Sequence, residues 1–294
     1  ARAGTTALSR YLRENPHVFM TNPKEPHFFA SDLPSHRYID TESGYLHLYD
    51  GVRPEHIAIG EASTWYLYSR TAATNIHQFD PNAKLIVQLR NPLDLVASLH
   101  GLLLLDFAED VPDFQTAWNL QAERKDGRQI PANRNTAYDV SVYQYADVGK
   151  LGAQVERLFQ VFPREQIFFI VFDDFISDTQ RIYEDVLKFL GVPSDGRTDF
   201  PQTNARRDYR NRWLASVIFR TWNMFSGMKQ RLGVVQTFGL LEPVRSLLAK
   251  EPEKPAISPD FQKEMIETFR DDVALLSDLL GRDLRHWLVP TRKR

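Results

Sequence analysis

The sequence predicts an α/β domain of three layers with a central, mainly parallel sheet. Two apolar segments have the composition of buried strands, KLIVQL at 84–89 and QIFFIVF at 166–172, and each is followed by a helical pattern. Strands and helices alternate along the chain, which is typical of a parallel sheet covered by helices. The 294 residues are 43% hydrophobic, so we assign residues 1–294 to a single domain.

The chain begins with a glycine loop that leads directly into a helix. Residues 1–6 read ARAGTT, apolar residues then recur at helical spacing from Ala7 to Leu12, and Asn15-Pro16 ends the pattern. Unpaired N–H groups and the helix dipole make such a loop a candidate anion site. A capped helix start without a ligand is the alternative. No Gly-Lys-Ser/Thr follows the loop, so it is not a Walker A motif.

The segment KEPHFF at 24–29 contains a candidate general base. Prolines on both sides of Lys24-Glu25 predict an extended backbone. In an extended backbone Glu25 and His27 share one side, and Lys24 points away. A carboxylate held in a stiff segment beside two phenylalanines is suited to accept a proton, and His27 is its rival. A surface turn with solvated charges is the alternative.

The strand at 84–89 ends at Arg90, and Asn91-Pro92 is the typical start of a helix. Arg90 therefore leaves the carboxyl end of a buried strand, where α/β proteins bind ligands. Ser98 lies nearly two turns into the helix. A guanidinium and a hydroxyl in this arrangement are a candidate phosphate site, and an exposed arginine with a helix-packing serine is the alternative.

Further elements are predicted along the rest of the chain. The sequence predicts a short strand at 56–60 and a helix from Tyr143 to Phe162. Two more helices run from Asp178 through Leu190 and from Ser258 to Leu280, and each is followed by a glycine that favours a helix end.

The region from Asn204 to Lys254 is basic and aromatic and lacks strand signals, so we expect a helical segment near 205–255. The charged run that begins with Arg206-Arg207 is either a solvated helix start or a clamp on an anionic ligand. The aromatic residues would suit an acceptor cleft, a lipid surface or an oligomer contact, and a packed helical subdomain is the alternative.

Composition excludes several classes of function. There are no cysteines, so a disulfide, a thiolate metal site and a cysteine nucleophile are excluded, and a cytoplasmic location is expected. The net charge of −2 gives no support to nucleic acid binding. The sequence contains no apolar stretch long enough to span a bilayer and no credible cluster of metal ligands. The sequence leaves open whether the protein forms a homo-oligomer.

Taken in order, five segments resemble the PAPS-dependent sulfotransferases, where PAPS is 3′-phosphoadenosine-5′-phosphosulfate. The resemblance is strongest to the branch that contains bacterial sulfotransferases and the heparan-type glycan sulfotransferases, and it spans nearly the whole chain. It rests on ARAGTTAL at 1–8, KEPHFF at 24–29, GEAST at 60–64, KLIVQLRNPLDLVASLH at 84–100 and LLGRDLRHWL at 279–288.

The resemblance implies a P-loop-like fold and transfer of the sulfuryl group of PAPS to a hydroxyl or amine, without a metal. The acceptor would be a carbohydrate or a small molecule, and the product 3′-phosphoadenosine-5′-phosphate (PAP). Glu25 would be the general base, and Lys24 would help to bind cofactor or acceptor. Arg2 would stabilise charge on the leaving phosphate. The implied cofactor-binding residues are Arg2, Ala3, Gly4, Thr5, Thr6, Ala7, Arg90, Ser98, Arg206 and Arg207.

The sequence departs from the family pattern at several positions. Ala7 stands where cytosolic relatives have a tryptophan that stacks on adenine, and Leu95 stands where many close relatives have an arginine. The family also has a strand before the loop, so we expect an apolar strand ahead of Ala1. Two other classes remain open: a non-catalytic PAP-binding protein and a P-loop-like nucleotide phosphotransferase.

Overall fold

The computed structural model of the chain describes residues 3–131, 138–201, 208–209, 249–250 and 257–289. The first part of the chain alternates short strands with helices. The elements in order are α1 (Thr5–Glu14), β1 (Val18–Met20), α2 (Glu42–His47), β2 (Ala58–Gly60), α3 (Ala72–Phe79), β3 (Leu85–Leu89) and α4 (Pro92–Leu105).

The later part is mostly helical. Its elements are α5 (Phe114–Asn119), α6 (Gln121–Lys125), α7 (Tyr145–Gly149), α8 (Leu151–Phe159), β4 (Ile167–Val171), α9 (Phe172–Ser177), α10 (Thr179–Leu190), β5 (Asp208–Tyr209), β6 (Ala249–Lys250) and α11 (Pro259–Leu280). Short 3₁₀ turns cover Pro34–His36, Val140–Tyr143, Arg164–Gln166 and Arg285–Leu288.

The strands of the first part pair in parallel, as predicted, but in two separate two-stranded sheets. β1 pairs with β2, and β3 pairs with β4. Residues of β2 and β3 line a common cavity of about 940 Å³. Among the described residues, β2 and β3 each pair with one other strand, so each is paired along one edge only. The α/β class is confirmed.

Several predicted helix boundaries are confirmed, and local side chains cap the helices there. The Asn91 side chain accepts the N–H of Leu93 at the start of α4. Asp178 and Ser258 cap α10 and α11 in the same way. Both of these helices end at a glycine in the left-handed conformation, which a residue without a side chain adopts at little cost.

The helix predicted from Tyr143 to Phe162 is wrong as a single element, because α7 ends at Gly149 and α8 begins at Leu151. The carboxylate of Asp272, on α11, accepts the N–H groups of Gly152 and Ala153 at 2.8 and 2.9 Å. This carboxylate satisfies the first N–H groups of α8, so a new helix starts there. The cap comes from more than 100 residues away, at sequence separations of 119 and 120.

The same glycines allow α11 to approach closely. A methyl group at position 149 would lie 2.4 Å from the Phe269 ring, and one at position 152 would lie 2.3 Å from the Asp272 carbonyl oxygen. The largest hydrophobic core lies where α4, α7, α8 and α11 meet, and a second core joins α1, β4 and α10.

The helical segment predicted near 205–255 lies almost entirely outside the described residues. The two described pieces within it, β5 and β6, pair antiparallel. This region of the sequence contains no strand signal, so the expectation of a helical segment is wrong at these four positions. A two-residue strand is too short for hydrophobic alternation to reveal it.

A fully buried ion pair joins the loop after α4 to α6. The Arg124 guanidinium donates to both oxygens of Glu109 at 2.6 and 2.7 Å, and both side chains are 0% exposed. The Tyr145 hydroxyl also donates to Glu109 at 2.8 Å. Burial would raise the pKa of Glu109, but these bonds outweigh it and lower the pKa.

We expect Glu109→Gln to lower the free energy of unfolding by about 3–5 kcal/mol, because the buried Arg124 charge would lose its counterion. The matched control is Glu267→Gln, which breaks an exposed ion pair with Arg270 and should cost about 0–1 kcal/mol. Urea denaturation measures both values. Equal losses would show that burial does not determine the strength of the Arg124–Glu109 pair.

Candidate active site

The glycine loop forms the start of α1 as predicted. Gly4 is the N-cap with φ +90°, and its carbonyl oxygen accepts the N–H groups of Ala7 and Leu8 at 3.0 and 3.2 Å. The N–H groups of Thr5 and Thr6 precede these first helical bonds, and such groups have no partner within the helix. Together with the helix dipole they suit an anion.

Aromatic side chains after β4 hold this loop in place. A methyl group at position 4 would lie 3.1 Å from the Phe175 ring and 3.2 Å from the Phe172 ring. Both phenylalanines belong to α9, which follows β4 directly. The loop therefore packs against the carboxyl end of the β3–β4 sheet, and a glycine is required there for its φ angle and for its size.

Lys24 connects the loop to the candidate base. Its ammonium nitrogen lies 2.5 Å from Oε1 of Glu25 and 3.5 Å from the hydroxyl oxygens of Thr5 and Thr6. The prediction that Lys24 points away from Glu25 is wrong. The backbone bends at residues 22–24, ahead of the positive φ of +53° at His27, and the long lysine side chain reaches back to the carboxylate.

Glu25 and His27 do lie on one side, as predicted. His27 Nε2 is 3.3 Å from Oε2 of Glu25, and Thr64 donates a hydroxyl bond of 2.9 Å to the same oxygen. Burial would raise the pKa of Glu25, but His27 and Lys24 outweigh it and lower the pKa to about 2. The Glu25 side chain is 34% exposed, so a substrate can reach it.

A second histidine, His36, packs against the ring of His27. His36 Nδ1 is 2.8 Å from Oδ2 of Asp139, and the His36 and His27 rings meet edge to face with centroids 6.1 Å apart. Burial, the largest influence, lowers the pKa of His36, although Asp139 raises it. The sequence did not single out this pair, because 103 positions separate its members and no motif connects them.

Glu61 is a second carboxyl near the candidate base that sequence reasoning missed as a titratable group. It follows β2 directly, and burial raises its pKa to about 7 against hydrogen bonds from Tyr66 and Ser63. The negative charge of Glu25 raises it further. The sequence signal that could have identified Glu61 is its position directly after a predicted strand, in GEAST at 60–64.

Arg90 follows β3 at its carboxyl end, as predicted. Its guanidinium lies over the Phe172 ring, 4.9 Å from the centroid, and 3.5 Å from Oδ2 of Asp94. Arg90, Thr5 and Glu61 line the same cavity. Lining residues from Lys84 to Arg90 show that this cavity runs the length of β3, with Arg90 after the carboxyl end of the strand, and the glycine loop borders the same cavity through Ala3 and Thr5.

The remaining predicted site residues are placed differently. Ala3 and Ala7 are buried beside the loop, and Ser98 is buried within α4. Ser98 is not among the residues that line the cavity. Arg2, Arg206 and Arg207 lie outside the described residues.

The C-terminal segment braces this end of the sheet. The Trp287 indole donates to Asp173 at 3.0 Å, and the Trp287 carbonyl oxygen accepts a bond of 3.0 Å from the Asn91 side chain. Arg282 forms a two-pronged ion pair with Asp174. These contacts join α9, which carries the two phenylalanines under the loop, to the start of α4.

Two features are absent from the described residues. No group of three or more His, Cys, Asp or Glu residues among them is arranged to hold a metal ion. Within the same residues, no helix combines the length and the apolar composition needed to cross a membrane.

Comparison with known proteins identifies a family model and similar solved structures. A family model described as "Sulfotransferase domain" matches residues 1–213. The crystal structure of a sulfotransferase from Alicyclobacillus acidocaldarius aligns with a TM-score of 0.70 at 28% sequence identity, over 98% of this chain and 95% of that chain. No curated protein sequence matches the chain significantly.

We expect Gly4→Ala to lower the free energy of unfolding more than Gly191→Ala does. Both glycines have positive φ, which costs an alanine about 1–2 kcal/mol. Only position 4 adds contacts with aromatic rings, since position 191 has nothing within 4 Å, and overpacking adds about 1–3 kcal/mol. Urea denaturation measures the difference, and equal losses would show that the Phe172 and Phe175 rings move aside freely.

Proposed function

Because the chain belongs to the sulfotransferase domain family and is thus an enzyme that transfers a sulfuryl group, we propose that PAPS is its donor. The acceptor is a hydroxyl or amine of a carbohydrate or small molecule. One observation carries this proposal: Lys24 lies between the hydroxyls of the glycine loop and the carboxylate of Glu25. A cation thus stands between a candidate anion site and a candidate base.

The residues present fit an anionic donor. The loop offers backbone N–H groups at a helix start. Lys24 is a cation beside the loop hydroxyls, and Arg90 is a cation that lines the cavity bordered by the loop. When bound, PAPS supplies an electrophilic sulfur and a phosphate leaving group. Positioning and electrostatic stabilisation by these groups then account for most of the catalysis, by analogy with phosphoryl transfer.

We assign the two anionic ends of the donor to two groups of residues. Ala3 to Ala7, with Arg2, hold the 5′-phosphosulfate, and Arg2 stabilises the charge on the leaving phosphate. Arg90 and Ser98 hold the 3′-phosphate. Arg206 and Arg207 fold over the cofactor. Support for the loop and for Arg90 is the loop geometry and the position of Arg90 after β3, whereas Arg2, Ser98, Arg206 and Arg207 rest on the sequence resemblance.

Glu25 removes the proton of the acceptor as the acceptor attacks. With a pKa of about 2, its carboxylate is a weak base while Lys24 neutralises it. The Lys24 ammonium lies 3.5 Å from the loop hydroxyls and would turn toward an anion held on the loop. The hold of Lys24 on Glu25 then weakens, so the pKa of Glu25 rises toward the range of a useful base.

We also propose that residues 1–294 form one three-layer, P-loop-like domain whose two parallel sheets belong to a single central sheet. The support is that β2 and β3 line the same cavity and pair along one edge only among the described strands.

Glu25→Gln should lower kcat by at least about tenfold, because general base catalysis is typically worth about 10²–10⁴-fold. PAP affinity should stay nearly unchanged, since the amide keeps the shape of the side chain. Transfer from labelled PAPS and calorimetric titration with PAP measure the two quantities. His27→Gln is the comparison variant. Near-normal turnover of Glu25→Gln, with a large loss in His27→Gln, would assign the base to His27.

Arg90→Ala should weaken PAP binding by at least about tenfold, because a charge-assisted bond to the 3′-phosphate is lost. Binding of adenosine-5′-phosphate, which lacks that phosphate, should change much less. Arg164→Ala is the matched control, since Arg164 also lies over a phenylalanine ring but precedes β4 and so lies at the opposite end of the sheet. Equal weakening for both nucleotides would mean that Arg90 does not contact the 3′-phosphate.

A further inference from the structure

The turn that directly follows β2, residues 61–64, lies against the segment that carries the candidate base. The N–H of Ala62 donates to the carbonyl oxygen of Lys24 at 3.1 Å. The Ser63 hydroxyl accepts the N–H of His27 at 2.9 Å. His27 has a positive φ, and a non-glycine residue keeps that conformation only where its surroundings enforce it. The turn is part of those surroundings.

Glu61 fixes the shape of this turn. Its Oε2 accepts the N–H of Ser63 at 2.7 Å, which joins the Glu61 side chain to the backbone two residues ahead. Because β2 precedes Glu61, the sheet, the turn and the base segment form one continuous set of hydrogen bonds. The position of Glu25 is therefore determined by the end of the β1–β2 sheet.

Thr64 contacts the candidate base itself. The two oxygens of Glu25 have different partners: Oε1 lies against the Lys24 ammonium, whereas Oε2 accepts the Thr64 hydroxyl at 2.9 Å. His27 Nε2 approaches the same Oε2. If Lys24 turns to an anionic donor, Oε1 loses its partner and Oε2 keeps both of its own.

We propose that Thr64 is a positioning residue that holds Oε2 of Glu25, so that Oε1 is the oxygen that takes the proton of the acceptor. This inference rests on the proposed function, because it assumes that Glu25 is the base. The acceptor oxygen or nitrogen would bond to sulfur as the S–O bond to the 5′-phosphate breaks and its electron pair leaves on PAP, and the proton of the acceptor would end on Oε1 of Glu25. Thr64 keeps its own proton throughout and acts only by fixing the orientation of the carboxylate.

The test compares Thr64→Val with Thr64→Ser. Valine has the shape of threonine without the hydroxyl, and we expect about a tenfold fall in kcat, because a misplaced catalytic group loses rate steeply. Serine keeps the hydroxyl and should keep kcat within about twofold of the original enzyme. The matched control is Thr268→Val, which removes an exposed hydroxyl on α11 and should leave kcat unchanged.

Two further readouts separate positioning from a structural role. Calorimetric titration with PAP should give the same affinity for Thr64→Val as for the original enzyme, and urea denaturation checks that the variant is folded. In the Glu25→Gln background, Thr64→Val should cause no additional fall in kcat, because Thr64 acts through Glu25.

An equal fall in kcat for Thr64→Val in both backgrounds would overturn the positioning role, and so would a loss of activity in Thr64→Ser. If PAP binds and Glu25→Gln is impaired but Thr64→Val is fully active, the positioning role fails and the proposed function stands. If Glu25→Gln has normal turnover, the base assignment and the role of Thr64 are overturned together. Failure of the original enzyme to bind PAP would overturn the proposed donor.

Discussion

The Lys24 ammonium group joins the two chemically distinct parts of the site, because it contacts the carboxylate of Glu25 and the hydroxyls of the glycine loop. Those contacts exist only while the loop keeps its place. Gly4 packs against the Phe172 and Phe175 rings of α9, and the C-terminal segment fixes α9 through Trp287. Residues from opposite ends of the chain thus determine where one lysine lies.

Two carboxyl groups at the carboxyl end of the β1–β2 sheet have pKa shifts of opposite sign. Burial raises the pKa of Glu61, and its hydrogen bonds only partly oppose the rise. Burial also acts on Glu25, but His27 and Lys24 outweigh it. Such a pair, with pKa values moved apart by their surroundings, is a recurring arrangement in enzyme sites. One carboxylate stays charged while its neighbour titrates near neutral pH.

The helices of the later part of the chain pack together and stabilise the elements that carry the candidate site. α4 begins beside Arg90 and packs against α7 and α11 in the larger core. α11 caps α8 through Asp272, and the buried Arg124–Glu109 pair ties the loop after α4 to α6. Both connections use a charged group and directional hydrogen bonds, and the Arg124–Glu109 pair is fully buried, so the helices have little freedom to shift relative to one another.

The sequence by itself determined the elements whose signals are local. Hydrophobic runs located β3 and β4, and capping residues located both ends of α10 and α11. The ordered motifs predicted the sulfotransferase family, which the comparisons confirm. The same motifs predicted the loop residues, Lys24, Glu25 and Arg90 as candidate site residues, because a short motif places given residue types at a fixed spacing.

Only the tertiary structure decided how those residues meet. The break between α7 and α8 depends on Asp272, about 120 residues away, and no local signal encodes a cap from another helix. Lys24 reaches Glu25 where the backbone bends at residues 22–24, and sequence alternation cannot show such a bend. The contacts of Thr64 with Glu25 and of Asp139 with His36 likewise join distant segments. Spacing along the chain determines local structure, whereas packing of distant segments determines which charges become neighbours.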